Sequence, residues 1–489
     1  MQLDSDVCFR AMSARDARFD GVFFTCVSTT GIYCRPVCRA RTPGRDRCSF
    51  VRSAAEAERA GFRACLRCRP EVAPGAGHDD AVPRLVADAV RLVERGWLNV
   101  KSVDALARRL GVSSRHLRRS MEATLGVTPV ELAQTKRLAL AKGLLHDTRL
   151  PVADVAFASG FGSVRRFNAL FLDRFGRAPL SIRRETRDPH PGRGRAVAAE
   201  SKGETVSLRL DFRAPWDGDA LFTFLRARAI PGVEHVTDAE YRRTVRIGKS
   251  SGWLAVRRDP KRDAVIVEVS HSLSGSLMDL ASRVRVLFDL DALPAPIGKH
   301  LGRDRVLAAS LRKHPGLRVP GAFDGFETAV RAILGQQVTV AGATTLSGRL
   351  AAAFGDPVRT PHAELTRTFP PASRIASASE AQIAAIGLPC ARAASLRAMA
   401  AAVASGTIRL ESGADPESTM AALIALPGIG PWTAQYLAMR ALAWPDAFPA
   451  GDLGLRKALG GASAAAIEAK AESWRPWRAY AALHLWNTL

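Results

Sequence analysis

Apolar residues recur at two different spacings along the chain, and these spacings divide it into segments. Between residues 82 and 184 the apolar positions follow a helical period. After residue 205 they alternate with polar residues, which predicts strands of a half-buried sheet. The alternating positions are Val206, Leu208, Leu210 and Phe212, then Val245 and Ile247, then Val265, Val267 and Val269.

Helices are predicted between and after these strands, at 219–229 and 277–289, and from residue 296 onward Ala and Leu predict a mainly helical segment. Residues 186–204 are rich in Pro, Gly and charge without a period, which is typical of a linker. The fold class that follows is multidomain α+β, mainly α. The uncharged stretch 419–439 is interrupted by two prolines and two glycines, so it predicts two short helices around a hairpin rather than a membrane span.

Charge indicates the kind of partner. The 489 residues include 70 Lys and Arg against 47 Asp and Glu, a net charge of +23, and both 1–195 and 196–489 are basic. This excess of positive charge favours a polyanionic partner, and nucleic acid is the expected class of partner. The first residues contain acids and no apolar run of the kind found in signal peptides, so we expect a cytoplasmic protein.

Four of the eight cysteines form two closely spaced pairs, Cys34 with Cys38 and Cys65 with Cys68. Tetrahedral Zn²⁺ prefers four such soft ligands, and close pairs let two turns hold it. The spacing alone leaves open whether the zinc is structural or takes part in chemistry. The remaining thiols are interpreted as ordinary side chains, and they are Cys8, Cys26, Cys48 and Cys390.

The residues around these pairs, STTGIYCRPVCRAR at 28–41 and GFRACLRCRP at 61–70, closely resemble the zinc domain of the Ada adaptive-response family. The resemblance implies a methyl-acceptor domain over residues 1–80. In that family one zinc-bound thiolate takes a methyl group from a methylphosphotriester in DNA, and Cys34 matches that acceptor. It also implies that Thr30, Arg41 and Arg63 face the DNA backbone.

Two segments of the helical region repeat the pattern of helix, glycine-containing turn and second helix, at 102–121 and 151–171. With RFGRAP at 174–179 they resemble the DNA-binding domain of the AraC family, here placed at 81–185. The resemblance implies specific operator binding and RNA polymerase as a partner. Basic residues that open the second helix of each copy suit phosphates and base edges, and they are Arg115, Arg118, Arg165 and Arg166.

A further turn, LPGIGPWTA at 426–434, lies between two apolar helices, and Gly428 and Gly430 let its backbone approach a phosphate. Downstream, Asp452 could simply cap the next helix. Together with VRAILGQQV at 330–338 and WRPWRAYA at 474–481, these segments resemble the AlkA-type 3-methyladenine glycosylases of the helix-hairpin-helix superfamily. The match covers an α+β domain at 205–297 and a helical domain at 298–489.

This second resemblance implies a DNA glycosylase that hydrolyses the glycosidic bond of alkylated bases of the 3-methyladenine and 7-methylguanine type. Asp452 matches the catalytic carboxylate. The candidates for the base pocket are Phe224, Trp432, Tyr436 and Trp486. Trp432 stands where lyase-type members carry a Lys, so we expect a monofunctional enzyme. Gln337 occupies the position of the intercalating wedge, Leu453 replaces a Tyr, and the hairpin carbonyls are a candidate site for a monovalent cation.

The sequence therefore predicts a DNA alkylation-repair glycosylase fused to a methylphosphotriester-sensing transcriptional regulator. An alternative is a DNA-binding regulator with a catalytically inactive glycosylase fold. A third interpretation keeps the glycosylase active and makes the zinc domain merely structural.

Overall fold

The computed structural model describes residues 4–75, 84–187 and 205–489. Contacts between residues group them into two compact units. The first unit comprises Met1–Ala214 and Asp259–Ser282, and the second comprises Pro215–Arg258 and Arg283–Leu489. Most of the predicted linker, residues 188–204, lies outside the described residues, while its first two residues belong to a helix.

Residues 4–75 form a small sheet with two helices. The helices are α1 (Ser5–Ser13) and α2 (Ala54–Arg59), and the strands are β1 (Phe24–Val27), β2 (Ile32–Cys34), β3 (Cys48–Val51) and β4 (Arg63–Ala64). The sheet order is β3-β1-β2-β4, and only the β2–β4 pair is parallel. Thr25 pairs with Cys34 and Tyr33 with Ala64, so the register brings the two cysteine-bearing segments side by side.

Residues 84–187 are helical. The helices are α3 (Arg84–Glu94), α4 (Trp97–Val100), α5 (Val103–Arg109), α6 (Ser114–Leu125), α7 (Pro129–Asp147), α8 (Val152–Ala158), α9 (Val164–Phe175) and α10 (Pro179–Arg187). The turn before α6 contains Gly111 and the turn before α9 contains Gly160, both at positive φ. Ser113 and Ser163 cap the two helices through hydrogen bonds from the backbone N–H groups of His116 and Arg166.

The strands that follow are β5 (Thr205–Asp211), β6 (Glu234–Val236), β7 (Glu240–Ile247), β8 (Ser250–Arg258) and β9 (Ala264–Ser270). In the first unit β5 pairs antiparallel with β9, and in the second unit β7 pairs antiparallel with both β6 and β8. Val206, Val265, Val267 and Val269 are fully buried, as the alternation predicts. The intervening helix α11 is Gly218–Arg226, and α12 is Leu277–Leu287.

The rest of the second unit is helical. Its helices are α13 (Pro294–Leu301), α14 (Arg305–Lys313), α15 (Gly325–Leu334), α16 (Val340–Phe354), α17 (Ala372–Ser377), α18 (Glu380–Ala384), α19 (Cys390–Ala404), α20 (Pro416–Ile424), α21 (Pro431–Arg440), α22 (Leu453–Ala458), α23 (Ala464–Ala471) and α24 (Arg478–Trp486). Helix α21 contributes Leu437 to one apolar core and Met439 to a second core. Because α21 packs into two cores, the backbone that carries the side chains of its N-terminal end is held in place.

Within the described ranges, no helix combines the length and the apolar character that crossing a membrane requires.

Candidate functional sites

The two cysteine pairs converge on one point of the small sheet. Cys34 ends β2, and Cys65 directly follows β4, which pairs with β2. The ligand atoms of Cys34, Cys38, Cys65 and Cys68 all lie within 4.8 Å of one another. A zinc–sulfur bond of about 2.3 Å implies a sulfur–sulfur separation of about 3.8 Å in a tetrahedron, so this donor set fits Zn²⁺.

The other cysteines have different surroundings. Cys26 is fully buried, and burial, with a smaller effect of Glu56, raises the pKa of its thiol to about 12. Burial also raises the pKa values of Cys8 and Cys48. Because the thiolate is the reactive form, these three thiols are poor nucleophiles. Cys390 is exposed at the start of α19, far along the chain from the cluster.

The residue after Cys34 anchors the cluster to the protein. The Arg35 backbone N–H donates to the sulfur of Cys68 at 3.4 Å. Its guanidinium is buried between Asp20, with Nε 2.8 Å from Oδ1, and Asp211, with Nη1 2.9 Å from Oδ2. Arg35 is therefore a structural residue.

The predicted DNA-facing residues of this module lie at the surface. Thr30, Arg41 and Arg63 are all exposed. The Arg63 backbone N–H donates to the carbonyl of Gly31 at 2.8 Å, so Thr30, in the turn between β1 and β2, lies near the start of β4. Exposed arginines beside the cluster supply a positive surface of the kind that attracts phosphates.

A buried ion network joins the cysteine-bearing loop to α7. Lys142 on α7 is fully buried and donates to Glu71 at 2.8 Å and to the carbonyl of Cys65 at 3.3 Å. Arg69 bridges Glu71 and Asp147. Burial alone would raise the pKa of Glu71, but the charges of Lys142 and Arg69 outweigh it and lower this pKa to about 2.

The basic residues of the two repeated helices are exposed, as a DNA-reading surface requires. Arg115 and Arg118 lie in the first turns of α6, and Arg165 and Arg166 lie at the start of α9. On the opposite face, α6 buries Leu117 and Met121, and α9 buries a row of three phenylalanines. The pattern of both helices is therefore an apolar face in the core and a basic face in solvent.

The glycine-containing turn connects α20 to α21 and is tied to the loop after α15. Gly428 has a φ of +73°, and a Cβ there would lie 2.3 Å from the Ser395 hydroxyl, so the position requires glycine. Gln336 donates to the carbonyl of Gly428 at 3.0 Å and to the Thr433 hydroxyl at 3.3 Å. The next residue, Gln337, is exposed with a φ of +59°.

Two indole groups hold the carboxylate of Asp452. Trp432 donates to Oδ2 at 2.9 Å, and Trp486 donates to Oδ1 at 2.8 Å. Oδ1 also accepts from the Leu455 backbone N–H at 3.0 Å and thereby caps α22. The cap that the sequence left open for Asp452 is present, and the same carboxylate is also hydrogen-bonded to two tryptophans near the hairpin.

The predicted pocket residues form a continuous half-buried group. The rings of Trp432 and Tyr436 are stacked, with centroids 5.2 Å apart and an interplanar angle of 9°. Phe224 joins the group through Arg440, whose Cζ lies 4.9 Å from the Phe224 centroid and 5.5 Å from the Tyr436 centroid. Leu453, beside Asp452, is 69% exposed.

Several residues of this site escaped the sequence reasoning. Arg440 is buried and donates to the Tyr436 hydroxyl at 2.6 Å. Arg478, in the segment 474–481, binds buried Asp446 at 2.8 Å and so anchors the chain that leads to Asp452. Gln336 lies within the segment 330–338, but its hydrogen bonds reach residues more than ninety positions away. No periodic signal marks such partners.

Family models match four successive parts of the chain. They are described as the metal binding domain of Ada (residues 7–71), a helix-turn-helix domain (106–185), the AlkA N-terminal domain (207–324) and the HhH-GPD superfamily of base excision DNA repair proteins (330–478).

Curated relatives show the same division. The "Probable bifunctional transcriptional activator/DNA repair enzyme AlkA" of Mycobacterium tuberculosis is 41% identical over 493 residues, which cover 100% of this chain and 97% of the relative. The "DNA-3-methyladenine glycosylase 2" of Escherichia coli is 37% identical and covers 57% of this chain and 96% of the relative. The E. coli "Bifunctional transcriptional activator/DNA repair enzyme Ada" is 41% identical and covers 29% of this chain and 40% of the relative.

Proposed function

Because the chain belongs to the family of bifunctional transcriptional activator/DNA repair enzymes of the AlkA type, we propose that it removes alkylated bases from DNA and also senses DNA methylation. Base removal is the proposed enzymatic activity, and transcriptional regulation is the second proposed activity. The observation that carries the proposal is the Asp452 carboxylate, held by two indole N–H groups beside the hairpin.

The proposed reaction is hydrolysis of the bond between C1′ and the base nitrogen. The base must first leave the helical stack. In 3-methyladenine or 7-methylguanine the base is cationic, so it departs with the bonding electron pair without a strong acid. The sugar becomes oxocarbenium-like, and the ionised Asp452 stabilises this positive charge. A water oxygen then bonds to C1′ and gives up a proton to the Asp452 carboxylate, which leaves an abasic sugar and a free base.

The residues around Asp452 position it for this role. Each carboxylate oxygen accepts an indole hydrogen bond, so the carboxylate cannot rotate freely before the base departs. Trp432, in the first turn of α21 after the hairpin, stands where a lyase would need an amine, so we propose a monofunctional glycosylase. The aromatic faces of Trp432 and Tyr436 would hold a cationic base.

The test is the variant Asp452→Asn, assayed for base release from methylated DNA. Release should fall by at least about a hundredfold, because the developing charge loses its stabilising anion, while binding to abasic DNA persists. Asp304 offers a matched control, since it caps α14 and accepts from the Trp474 indole at 2.8 Å. Asp304→Asn should leave release intact. Unchanged release by Asp452→Asn would instead support the regulator with an inactive glycosylase fold.

For the sensor, we propose Cys34 as the methyl acceptor. When bound by the four cysteines, zinc would keep their thiolates deprotonated. The Cys34 sulfur attacks the methyl carbon, a carbon–sulfur bond forms, and the carbon–oxygen bond breaks so that the phosphodiester leaves as an anion. The cluster loses one negative charge, so its repulsion from DNA phosphate weakens and DNA binding increases.

Mass spectrometry tests the sensor. After incubation with methylated DNA, fragment-ion spectra should place one added methyl group on Cys34 and none on Cys38, Cys65 or Cys68. An unmodified Cys34 would assign the zinc module to a structural role only.

For gene regulation, we propose that the exposed arginines of α6 and α9 contact an operator, and that the activated protein recruits RNA polymerase. We also propose that the hairpin carbonyls bind a monovalent cation when the protein binds damaged DNA. Gln336 already occupies one lone pair of the Gly428 carbonyl.

A further inference from the structure

Two arginines flank Phe224 in the aromatic group. The Cζ of Arg228 lies 3.8 Å from the Phe224 ring centroid, and that of Arg440 lies 4.9 Å from it. Arg228 follows α11, which carries Phe224, and Arg440 ends α21, which carries Tyr436 and Trp432. The guanidinium groups thus belong to the same group of side chains as the Asp452 carboxylate.

The two arginines differ in how their donors are used. Arg440 is buried and donates to the carbonyls of Pro320 and Gly321 and to the Tyr436 hydroxyl. Arg228 is half-buried, and its side chain donates to the Phe224 carbonyl at 3.2 Å. Among the described residues no carboxylate forms an ion pair with Arg228, whereas nearby Arg331 is paired with Glu234 and Glu327.

This difference leaves hydrogen-bond donors available beside the aromatic rings. A guanidinium has five N–H groups and no acceptor, and the Arg228 side chain uses one donor atom on the Phe224 carbonyl. Because the Tyr436 hydroxyl accepts from Arg440, its own hydrogen can be donated to a bound base. Arg228 and Tyr436 therefore offer hydrogen-bond donors and positive charge, which match a carbonyl oxygen and oppose an amino group.

We propose that Arg228 and the Tyr436 hydroxyl recognise the 6-oxo group of an everted purine, so that the enzyme favours damaged 6-oxopurines over damaged 6-aminopurines. Arg440 is a positioning residue that orients Tyr436. This inference rests on the proposed glycosylase function. The residues to which it assigns the base preference, Arg228 and Tyr436, differ from those that hydrogen-bond Asp452.

The test uses one methylated duplex that contains both 3-methylguanine and 3-methyladenine. These bases carry the methyl group at the same ring nitrogen, and they differ in the 6-oxo and 6-amino groups and in the 2-amino group of guanine. Full-length wild-type and variant proteins are compared under single-turnover conditions, and the released bases are separated and quantified. A duplex with hypoxanthine, a neutral 6-oxopurine without the 2-amino group, isolates the effect of the 6-oxo group.

Arg228→Met should lower the release of 3-methylguanine and hypoxanthine about tenfold, the loss expected for one charge-assisted hydrogen bond. Release of 3-methyladenine should not fall, since the substitution removes donors and a positive charge that oppose its 6-amino group. Arg228→Lys should restore part of the difference. Tyr436→Phe, which keeps the ring that stacks on Trp432, should shift the ratio in the same direction.

Arg226→Met is the matched control, because Arg226 lies two residues earlier and pairs with the exposed Asp238. It should leave both the rates and their ratio unchanged. An unchanged ratio in Arg228→Met and Tyr436→Phe, with melting temperatures equal to that of the control, would overturn the inference. Absence of base release by the wild-type protein would overturn the proposed function instead.

Discussion

Trp486 donates its indole N–H to Oδ1 of Asp452 at 2.8 Å. The bond joins the last turn of α24 to the N-cap of α22 and fixes one oxygen of the proposed catalytic carboxylate. Trp486→Phe should therefore lower base release about tenfold or more while DNA binding is retained, since a charge-assisted hydrogen bond is lost. Single-turnover release and gel-shift binding measure the two quantities.

Trp474→Phe is the matched control for this variant. Its indole donates to the helix-capping Asp304 at 2.8 Å, away from the hairpin. This substitution should lower the melting temperature without lowering base release. Equal losses of release in both variants would show that packing, and not the bond to Asp452, decides the rate.

Removal of zinc should separate the two activities. A chelator, or the variant Cys68→Ala, is expected to abolish methyl transfer to Cys34 while base release persists, because the four cysteine ligands belong to residues 34–68 and the proposed glycosylase residues to the second unit. Metal content and both activities are measured on the same sample. Cys390→Ala, which alters an exposed thiol outside the cluster, should change neither activity.

His484 should make the second unit sensitive to acid. Burial, with a smaller effect of His314, lowers the pKa of His484 to about 4. In the unfolded chain the pKa of His484 is higher, near 6.5. The free energy of unfolding is therefore at its full value above pH 6.5, and it decreases by at most about 3 kcal/mol as the pH falls toward 4. Denaturant unfolding of wild type and His484→Asn across this range should show a smaller pH dependence in the variant. Parallel curves would contradict the assignment.

The buried Lys142 should be essential to the first unit. Lys142→Met breaks its pair with Glu71, and removing one partner of a buried pair costs about 3 kcal/mol. On the same helix, Lys136 pairs with Glu94 at the surface, so Lys136→Met should cost less than about 1 kcal/mol. Denaturation of the two variants, monitored by hydrogen exchange in α7, compares their losses of stability. Equal costs would show that burial of the pair is energetically unimportant.

Local signals in the sequence predict the elements well. Alternation places Val265 and Val267 in a buried strand, and the glycines of the 426–434 segment form a hairpin between two helices. The close spacing within each pair predicts the cysteine cluster, in which the structure places Cys34 and Cys68 together. These features depend on residues close together in the chain or on a fixed period, which is why they can be read without a structure.

The contacts that tune the sites could not be predicted in this way. Lys142 reaches Glu71 across 71 positions, and Gln336 reaches Gly428 across 92. Such polar partners carry no periodicity, and each residue would be interpreted as a surface side chain from its type alone. Asp452 shows the intermediate case, since its capping role is local and its two indole partners are not.

The burial of Lys142 also limits how this protein can have been assembled in evolution. A recombination event that exchanged residues 4–75 for those of another protein without a carboxylate at position 71 would strand an ammonium group in an apolar interior. Exchange of α7 alone would strand the carboxylate instead. The metal-binding segment and the helices that follow it are therefore energetically coupled, and exchanging either one alone should destabilise the first unit.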